Sequence, residues 1–254
     1  MDKASRALDK SAAIGASELA ARLRWRDLTK DIQGSRFPNS YPRDAATLLI
    51  IDTAGPEPRL LMGQRHHKLK FMPGKFVFPG GRVEARDYLA TIGCTLPAPV
   101  TAKLLRAVKG SLHPQRALAL AHAALRETQE ETGIVIGAPR AQGDGRSPGL
   151  PDFAGFSFLA RAITPPRRPR RFDTRFFTVT ADRIAGRQPI IDGEFIAVEW
   201  FTFAEARQQD LADITRMILS DLEERLEAGN LCDPNAAVPF YFMRGACFHR
   251  KLLR

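Results

Sequence analysis

The segment QRALALAHAALRETQEET, residues 115–132, constrains the fold more than any other, and Gly133 follows it. Alanine, leucine, glutamate and glutamine are strong helix formers, and glycine is the usual residue at the left-handed position that ends a helix. Short apolar runs typical of β-strands precede and follow this segment. The chain is therefore expected to build a sheet with this helix packed on it.

The strand-like runs come in two groups, one on each side of that helix. Thr202–Glu205 has the pattern of a capping box and predicts the start of a second long helix, continued by apolar residues at helical spacing up to Leu226. Strands on both sides of a central helix, with a late helix, predict an α/β fold in which helices sandwich a mixed sheet, an α/β/α arrangement. The runs are ATLLIID, PRLLMGQR and KFVFPGG before the helix, and GIVI, FAGFSFLARAIT, RFFTVTAD and EFIAVEWFTF after it.

The ends of the chain differ in character from its centre. Residues 1–42 are expected to form an N-terminal arm, with one candidate helix at 17–28 before the proline-containing stretch GSRFPNSYPRD. Residues 43–230 are expected to form the main domain. A C-terminal helical extension and a tail at 231–254 complete the predicted organisation.

Three glutamates, Glu127, Glu130 and Glu131, crowd the last turn of the predicted helix. Negative charge is unfavourable at a helix C-terminus, and two like charges about 4 Å apart repel by roughly 4 kcal/mol at an effective dielectric near 20. A hard divalent cation such as Mg²⁺ would reverse that repulsion, since it prefers oxygen ligands. The alternative is a solvated glutamate cluster without a ligand.

The formal net charge of +10 predicts an affinity for polyanions: nucleic acid, acidic membrane or phosphorylated small molecules. An ordinary soluble protein with an arginine-rich surface is the alternative. No run of eighteen or more apolar residues occurs, so no membrane-spanning segment is expected. Three scattered cysteines and the absence of an apolar leader favour a cytoplasmic protein without a zinc site.

Around the glutamates, the chain resembles the Nudix hydrolase family, whose signature reads G-x5-E-x7-R-E-U-x-E-E-x-G-U with U aliphatic. Gly81 matches the first glycine, and the second half is matched at the family's spacing by Arg126, Glu127, Glu130, Glu131, Gly133 and Ile134. Asp87 stands at the first glutamate position and Thr128 at an aliphatic one. Residues 88–125 separate Asp87 from Arg126 where the signature has seven residues, and 88–114 are interpreted as an insertion that forms a lid or an interaction surface.

A second stretch, QRHHKLKFMPGKFVFPGG at residues 64–81, resembles the signature of the coenzyme A diphosphatase branch of that family. Lys70 stands where the branch has an arginine, and Phe76 where it has a β-branched residue. The residues that match or approximate the branch pattern are Arg65, Leu69, Lys70, Gly74 and Phe78.

The resemblance implies a role for each matching residue. Glu127 would be a metal ligand or the general base, oriented by Arg126, while Glu130 and Glu131 would be ligands of Mg²⁺ or Mn²⁺. A carbonyl of Gly80 or Gly81 would complete the metal shell, and Glu194 would be a further catalytic carboxylate or, alternatively, an exposed loop residue. Substrate would be bound by Arg65, Lys70, Gly80, Arg168 and Arg171. The last two belong to a basic run that is either a phosphate clamp or a solvated loop.

The activity that this resemblance implies is Mg²⁺-dependent hydrolysis of a pyrophosphate in coenzyme A or acyl-coenzyme A. The products would be adenosine 3′,5′-bisphosphate and a phosphopantetheine. One alternative is an ADP-ribose or dinucleotide pyrophosphatase; the other, from a different class, is a non-catalytic module that binds nucleotide or RNA. A small nucleotide-type partner is expected, nucleic acid and membrane are not, and a homodimer is left open.

Overall fold

The computed structural model describes residues 37–69, 71–137, 152–191, 193–244 and 247–254. The candidate helix at 17–28 and most of the predicted N-terminal arm lie outside these ranges, as does Lys70. No helix within them is both long and apolar enough to cross a bilayer.

Nine strands in the described ranges form one mixed sheet, and two more pair separately. The sheet order is β11-β10-β6-β7-β1-β2-β3, with β4 paired to β1 and β9 to β2, while β5 pairs with β8. The β1–β7 and β6–β10 pairs are parallel and the others antiparallel. The strands are β1 (Arg43–Asp52), β2 (Arg59–Arg65), β3 (Phe76–Val77), β4 (Gly80–Arg82), β5 (Ile134–Ile136), β6 (Ser157–Ile163), β7 (Phe172–Thr180), β8 (Ile184–Arg187), β9 (Phe195–Thr202), β10 (Val238–Arg244) and β11 (Cys247–Leu253).

Five α-helices in the same ranges flank the sheet, with a 3₁₀ turn at Ala181–Arg183. The helices are α1 (Ala85–Ala90), α2 (Ala98–Leu105), α3 (Pro114–Thr132), α4 (Phe203–Gln208) and α5 (Asp213–Glu227). The predicted central helix is α3, and it ends where predicted: Gly133 adopts φ 72° and its N–H donates to the Gln129 carbonyl at 2.8 Å.

The sheet buries side chains on both faces, because the pleat sends successive residues of a strand to opposite sides. Along β1, Leu48 and Ile50 belong to the core cluster that includes α3, whereas Leu49 and Ile51 belong to the cluster that includes α5. All four side chains are fully buried. The predicted α/β/α sandwich is confirmed.

The second long helix begins later than the sequence predicts. The capping box is present, since Thr202 Oγ1 accepts from the Glu205 N–H and the Glu205 carboxylate accepts from the Thr202 N–H. It opens only α4, because the chain turns extended at Gln209. The long helix α5 starts afresh at Asp213 and covers the second face of the sheet, so it is a layer of the sandwich.

Residues 231–254, which the sequence assigns to a tail, contribute two strands to the sheet. β10 lies parallel to β6 with Phe240 opposite Arg161, and β11 pairs antiparallel with β10 over its full length. Val238 and Tyr241 are fully buried. These strands belong to the main domain by packing.

The insertion also packs into the domain. Val100 and Leu104 of α2 are buried in the cluster that includes α3. The Lys103 ammonium donates to the carbonyls of Pro234 and Ala236 at 2.6 and 2.7 Å, and Arg161 donates to the Arg106 carbonyl at 2.8 Å. The insertion is therefore fastened to the sheet and to the segment before β10.

We expect Leu104→Ala to lower the free energy of unfolding by about 2–5 kcal/mol, because it leaves a cavity in a fully buried position. Leu112→Ala is the matched control in the same insertion; that side chain is 64% exposed and its loss should change stability by less than about 0.5 kcal/mol. Denaturant titration measures both. Equal, small effects would show that the insertion does not belong to the core.

Candidate active site

A cleft of about 1050 Å³ opens where β4 and the start of β1 meet the C-terminal half of α3. It gathers most of the site residues that the sequence predicts. Arg168 is absent from its lining, and Lys70 lies outside the described residues. The predicted residues that line the cleft are Arg65, Gly80, Gly81, Arg126, Glu127, Glu130, Glu131, Arg171 and Glu194.

The guanidinium of Arg126 is the centre of the acidic part of this cleft. Its Nη1 donates to Glu127 Oε1 at 2.8 Å and to Glu130 Oε2 at 2.9 Å. Its Nε and Nη2 form a two-pronged pair with the Asp87 carboxylate at 2.9 and 3.1 Å, and Nη2 also donates to the Arg82 carbonyl at 3.0 Å. A planar guanidinium has five N–H donors in fixed directions, so these contacts fix the orientation of Glu127 and Glu130.

Asp87 holds Arg126 in spite of the insertion that separates them along the chain. Its side chain is fully buried and also accepts from the Glu84 N–H at 2.7 Å, while His122 Nδ1 lies 2.8 Å from Oδ1. Although burial opposes ionisation, these hydrogen bonds lower the pKa of Asp87 to about 2. Sequence reasoning missed His122, yet its spacing of four residues before Arg126 on α3 was a usable signal, since such residues share a helical face.

The Gly80–Gly81 turn lies directly against the glutamates. The Gly80 N–H donates to Glu131 Oε2 at 2.9 Å. A Cβ on Gly81 would stand 2.4 Å from Glu127 Cδ, and one on Gly80 would stand 2.4 Å from the Ala46 carbonyl oxygen. Glycine is therefore required at position 80, where a Cβ would meet the backbone of β1, whereas a side chain at position 81 would displace the Glu127 carboxylate.

Two of the glutamates carry charge that the protein does not fully compensate. Burial raises the pKa of Glu131 well above its ordinary value; the Gly80 N–H opposes this rise and the charge of Glu127 adds to it. Burial likewise raises the pKa of Glu127, despite the opposing charge of Arg126. The site is thus short of positive charge around these carboxylates.

A divalent cation fits the carboxylate oxygens of these glutamates, although their side chains do not all point toward one position. In the part of the chain that the structure describes, no three acidic, histidine or cysteine side chains are already gathered as a metal cluster. Arg126 Nη1 bridges Glu127 and Glu130 instead. The carboxylates with raised pKa values are nevertheless oxygen donors of the kind that Mg²⁺ and Mn²⁺ prefer.

Glu194 reaches the cleft from the segment before β9. Its carboxylate pairs with Arg65 Nη2 at 2.8 Å, and its carbonyl accepts from the His66 N–H at 2.8 Å. Arg65 Nε donates to the Phe71 carbonyl at 3.0 Å, which closes the loop between β2 and β3. The structure therefore places Glu194 beside the acidic group, neutralised in part by Arg65.

Arg171 also lines the cleft, and its guanidinium is bonded to the protein. Its guanidinium donates to Asn39 Oδ1 at 2.8 Å, to the Ser40 carbonyl at 2.5 Å and to the Thr164 carbonyl at 3.1 Å. These bonds hold residues 39 and 40 over the sheet. The neighbouring Arg170 also lines the cleft.

The insertion does not cover this cleft. No residue of 88–114, all of which are described, belongs to the lining. The lining gives no support to the prediction of a lid, since Val100 and Leu104 of the insertion are buried in the cluster that includes α3. An interaction surface, the other role predicted for the insertion, stays a prediction.

We expect Asp87→Asn to cost about 2–3 kcal/mol of stability at pH 7, the value of a pKa drop of nearly two units. A depressed carboxyl pKa stabilises the fold above the unfolded pKa near 3.8, and the effect is lost as pH falls toward 2. The difference between wild type and variant should therefore shrink below pH 4 in urea titrations. The exposed Asp182→Asn should show no such trend, and a pH-independent difference would contradict the account.

Comparison with known proteins shows what this chain is similar to. Residues 104–222 match the profile of the NUDIX domain. An acyl-coenzyme A diphosphatase, NUDT19 of Gallus gallus, is 36% identical over 140 residues, which are 43% of this chain and 37% of the relative, so the chain spans well under half of that protein's length.

A solved structure shows the same fold: a NUDIX hydrolase from Alicyclobacillus acidocaldarius superposes with a TM-score of 0.52 at 23% identity, covering 78% of this chain and 94% of that one. The NUDIX domain of Shewanella oneidensis NrtR, solved with ADP ribose, gives a TM-score of 0.46 at 15% identity over 74% of this chain and 90% of that one. The chain is thus similar to the Nudix family in its signature residues, in the matched residues 104–222 and in its fold.

Proposed function

We propose that the protein hydrolyses the pyrophosphate bond of a nucleotide-type small molecule with the help of Mg²⁺ or Mn²⁺. One observation carries this proposal: two carboxylates with raised pKa values, the half-buried Glu127 and the buried Glu131, lie against the Gly80–Gly81 turn. A binding module would gain nothing from carboxylates that repel each other, whereas a hydrolase uses them to hold a cation.

Glu127, Glu130 and Glu131 would hold the metal, with the Gly81 carbonyl completing the set. The bound cation would neutralise charge on the diphosphate and lower the pKa of a coordinated water. The structure supports this assignment by the donor chemistry of the three side chains and by their shared cleft.

The chain's own residues supply orientation and a base. Arg126 fixes the Glu127 carboxylate through the 2.8 Å bond from Nη1. A carboxylate whose pKa is raised accepts a proton more readily, so Glu127 is suited to take one from the attacking water if Glu130 and Glu131 alone hold the cation. The water oxygen forms a bond to phosphorus, the bridging P–O bond breaks, and the leaving phosphate departs with the bridging oxygen. Asp87 acts indirectly, by holding Arg126.

Coenzyme A or an acyl-coenzyme A is the substrate we favour, cleaved to adenosine 3′,5′-bisphosphate and a phosphopantetheine. The stretch from Arg65 to Gly74 supports this choice by its resemblance to the coenzyme A branch. The acyl-coenzyme A diphosphatase activity named for the Gallus gallus relative supports it as well. The volume of the cleft is sufficient for such a ligand.

The substrate is tested by a panel of coenzyme A, acyl-coenzyme A, ADP-ribose and NADH, assayed with and without Mg²⁺ and with identification of the products. We expect the coenzyme A compounds to be cleaved fastest, and only with metal. Faster cleavage of ADP-ribose or NADH would favour a nucleotide pyrophosphatase of another specificity.

We expect Glu130→Gln to lower turnover at least about a hundredfold, because an uncharged amide neither binds the cation nor balances Arg126. Nucleotide affinity, measured by calorimetry, should change little. The exposed Glu57→Gln is the matched control and should leave turnover intact. Equal losses of turnover and affinity, or no loss of either, would contradict a catalytic role.

A further inference from the structure

The charged residues that line the cleft fall into two groups. The first, named the acidic end, holds all of the lining carboxylates, which lie directly before α1, on α3 or just before β9. The second group is formed by residues 40–43 and 169–172, which carry three arginines and no acid. Those arginines are Arg43, Arg170 and Arg171.

The arginines at the acidic end are already neutralised. Arg126 pairs with Glu127 and Glu130, and Arg65 pairs with Glu194. Arg82 and Arg86 both pair with Glu84, at 3.2 and 2.9 Å. Each of these four arginines therefore already has a carboxylate partner.

Arg43 and Arg170, named here the basic rim, differ from those four. Within the described ranges neither forms an ion pair or a side-chain hydrogen bond, and both are exposed at the cleft. The rim is nevertheless built on ordered backbone: the Arg43 N–H donates to the Arg171 carbonyl at 2.9 Å, and Arg43 lies opposite Phe172 in the β1–β7 pairing.

The surroundings of the rim suit a nucleotide. The ring of Tyr41, 79% exposed, lines the cleft beside the rim, and the Lys109 ammonium lies 5.4 Å from its centre. Phe71 and Phe172 also line the cleft and pack edge to face with ring centres 5.8 Å apart. Aromatic faces and cations together are the usual surface for a base and a phosphate.

A diphosphate held at the acidic end by a cation leaves any second phosphate of the same molecule without a partner there. A phosphate monoester carries a charge of about −1.5 to −2 at neutral pH and is bound best by guanidinium groups. Arg43 and Arg170, which have no carboxylate partner among the residues that the structure describes, provide that partner in the same cleft.

We propose, on the basis of the proposed function, that the basic rim binds a phosphate monoester on the ribose of the nucleotide half of the substrate. Arg43 and Arg170 thereby determine specificity: diphosphates whose ribose carries an extra phosphate, as in coenzyme A, are preferred over those that lack it. The acidic end performs the same hydrolysis on both.

The test compares kcat/KM for coenzyme A and 3′-dephospho-coenzyme A, which differ only in that monoester. Wild type should favour coenzyme A by about tenfold or more, the size of one charge-assisted contact. The double variant Arg43→Gln and Arg170→Gln should lose this preference, while its kcat/KM for the dephospho compound stays within about twofold of wild type. Arg59→Gln, an exposed arginine at the far end of β2, is the control and should keep the wild-type ratio.

Equal rates on the two compounds in wild type, or an unchanged ratio in the double variant, would overturn the role of the rim and leave the hydrolase proposal standing. Binding of adenosine 3′,5′-bisphosphate against AMP, measured by calorimetry, tests the rim without turnover. Tighter binding of the bisphosphate in wild type alone supports the rim even if neither coenzyme is cleaved; equal affinities overturn it.

Discussion

The site depends on one guanidinium, that of Arg126, buried between an acid that stabilises it and acids that it orients. Asp87 binds its Nε and Nη2 edge, and Glu127 and Glu130 share Nη1. Hydrogen bonds to Asp87 keep the arginine charged although burial opposes it, so that its pKa is raised. The helix α3 tolerates the glutamates of its last turn because the positively charged guanidinium of Arg126 is fixed among them.

The Gly80–Gly81 turn also restricts the positions of Glu127 and Glu131. Since neither glycine has room for a Cβ, the turn approaches α3 closely enough for the Gly80 N–H to bond Glu131. Glu127 and Glu131 are thus confined in a volume that water solvates poorly, and their pKa values rise. The negative charges of these confined carboxylates therefore require more positive charge nearby than Arg126 alone supplies.

The parts of the fold that local sequence determines were predictable. Gly133 ends α3 because its left-handed conformation is a local property, and Gly81 and Glu127 meet as the signature implies. Features set by distant contacts were missed. β10 is a strand because β6 offers a parallel edge, and α2 packs inward because it finds α3, neither of which is visible in a short window.

The basic end of the cleft shows the same limit. Arg171, predicted as a phosphate ligand, is bonded to residues 39 and 40, whereas Arg43 was not predicted at all. A run of arginines in the sequence shows only that cations are present; which of them lack acidic partners depends on how β1 and β7 align. Asp87 likewise meets Arg126, from which the insertion separates it in sequence, only through three-dimensional packing.

Binding of Mn²⁺ in the absence of substrate, followed by electron paramagnetic resonance, shows whether these carboxylates hold a divalent cation. We expect saturable binding to wild type that weakens at least about tenfold in Glu127→Gln, with Arg59→Gln unchanged. Folded wild-type protein that shows no saturable binding, or a Glu127→Gln variant that binds as wild type does, would contradict the claim that these carboxylates are gathered to hold a divalent cation.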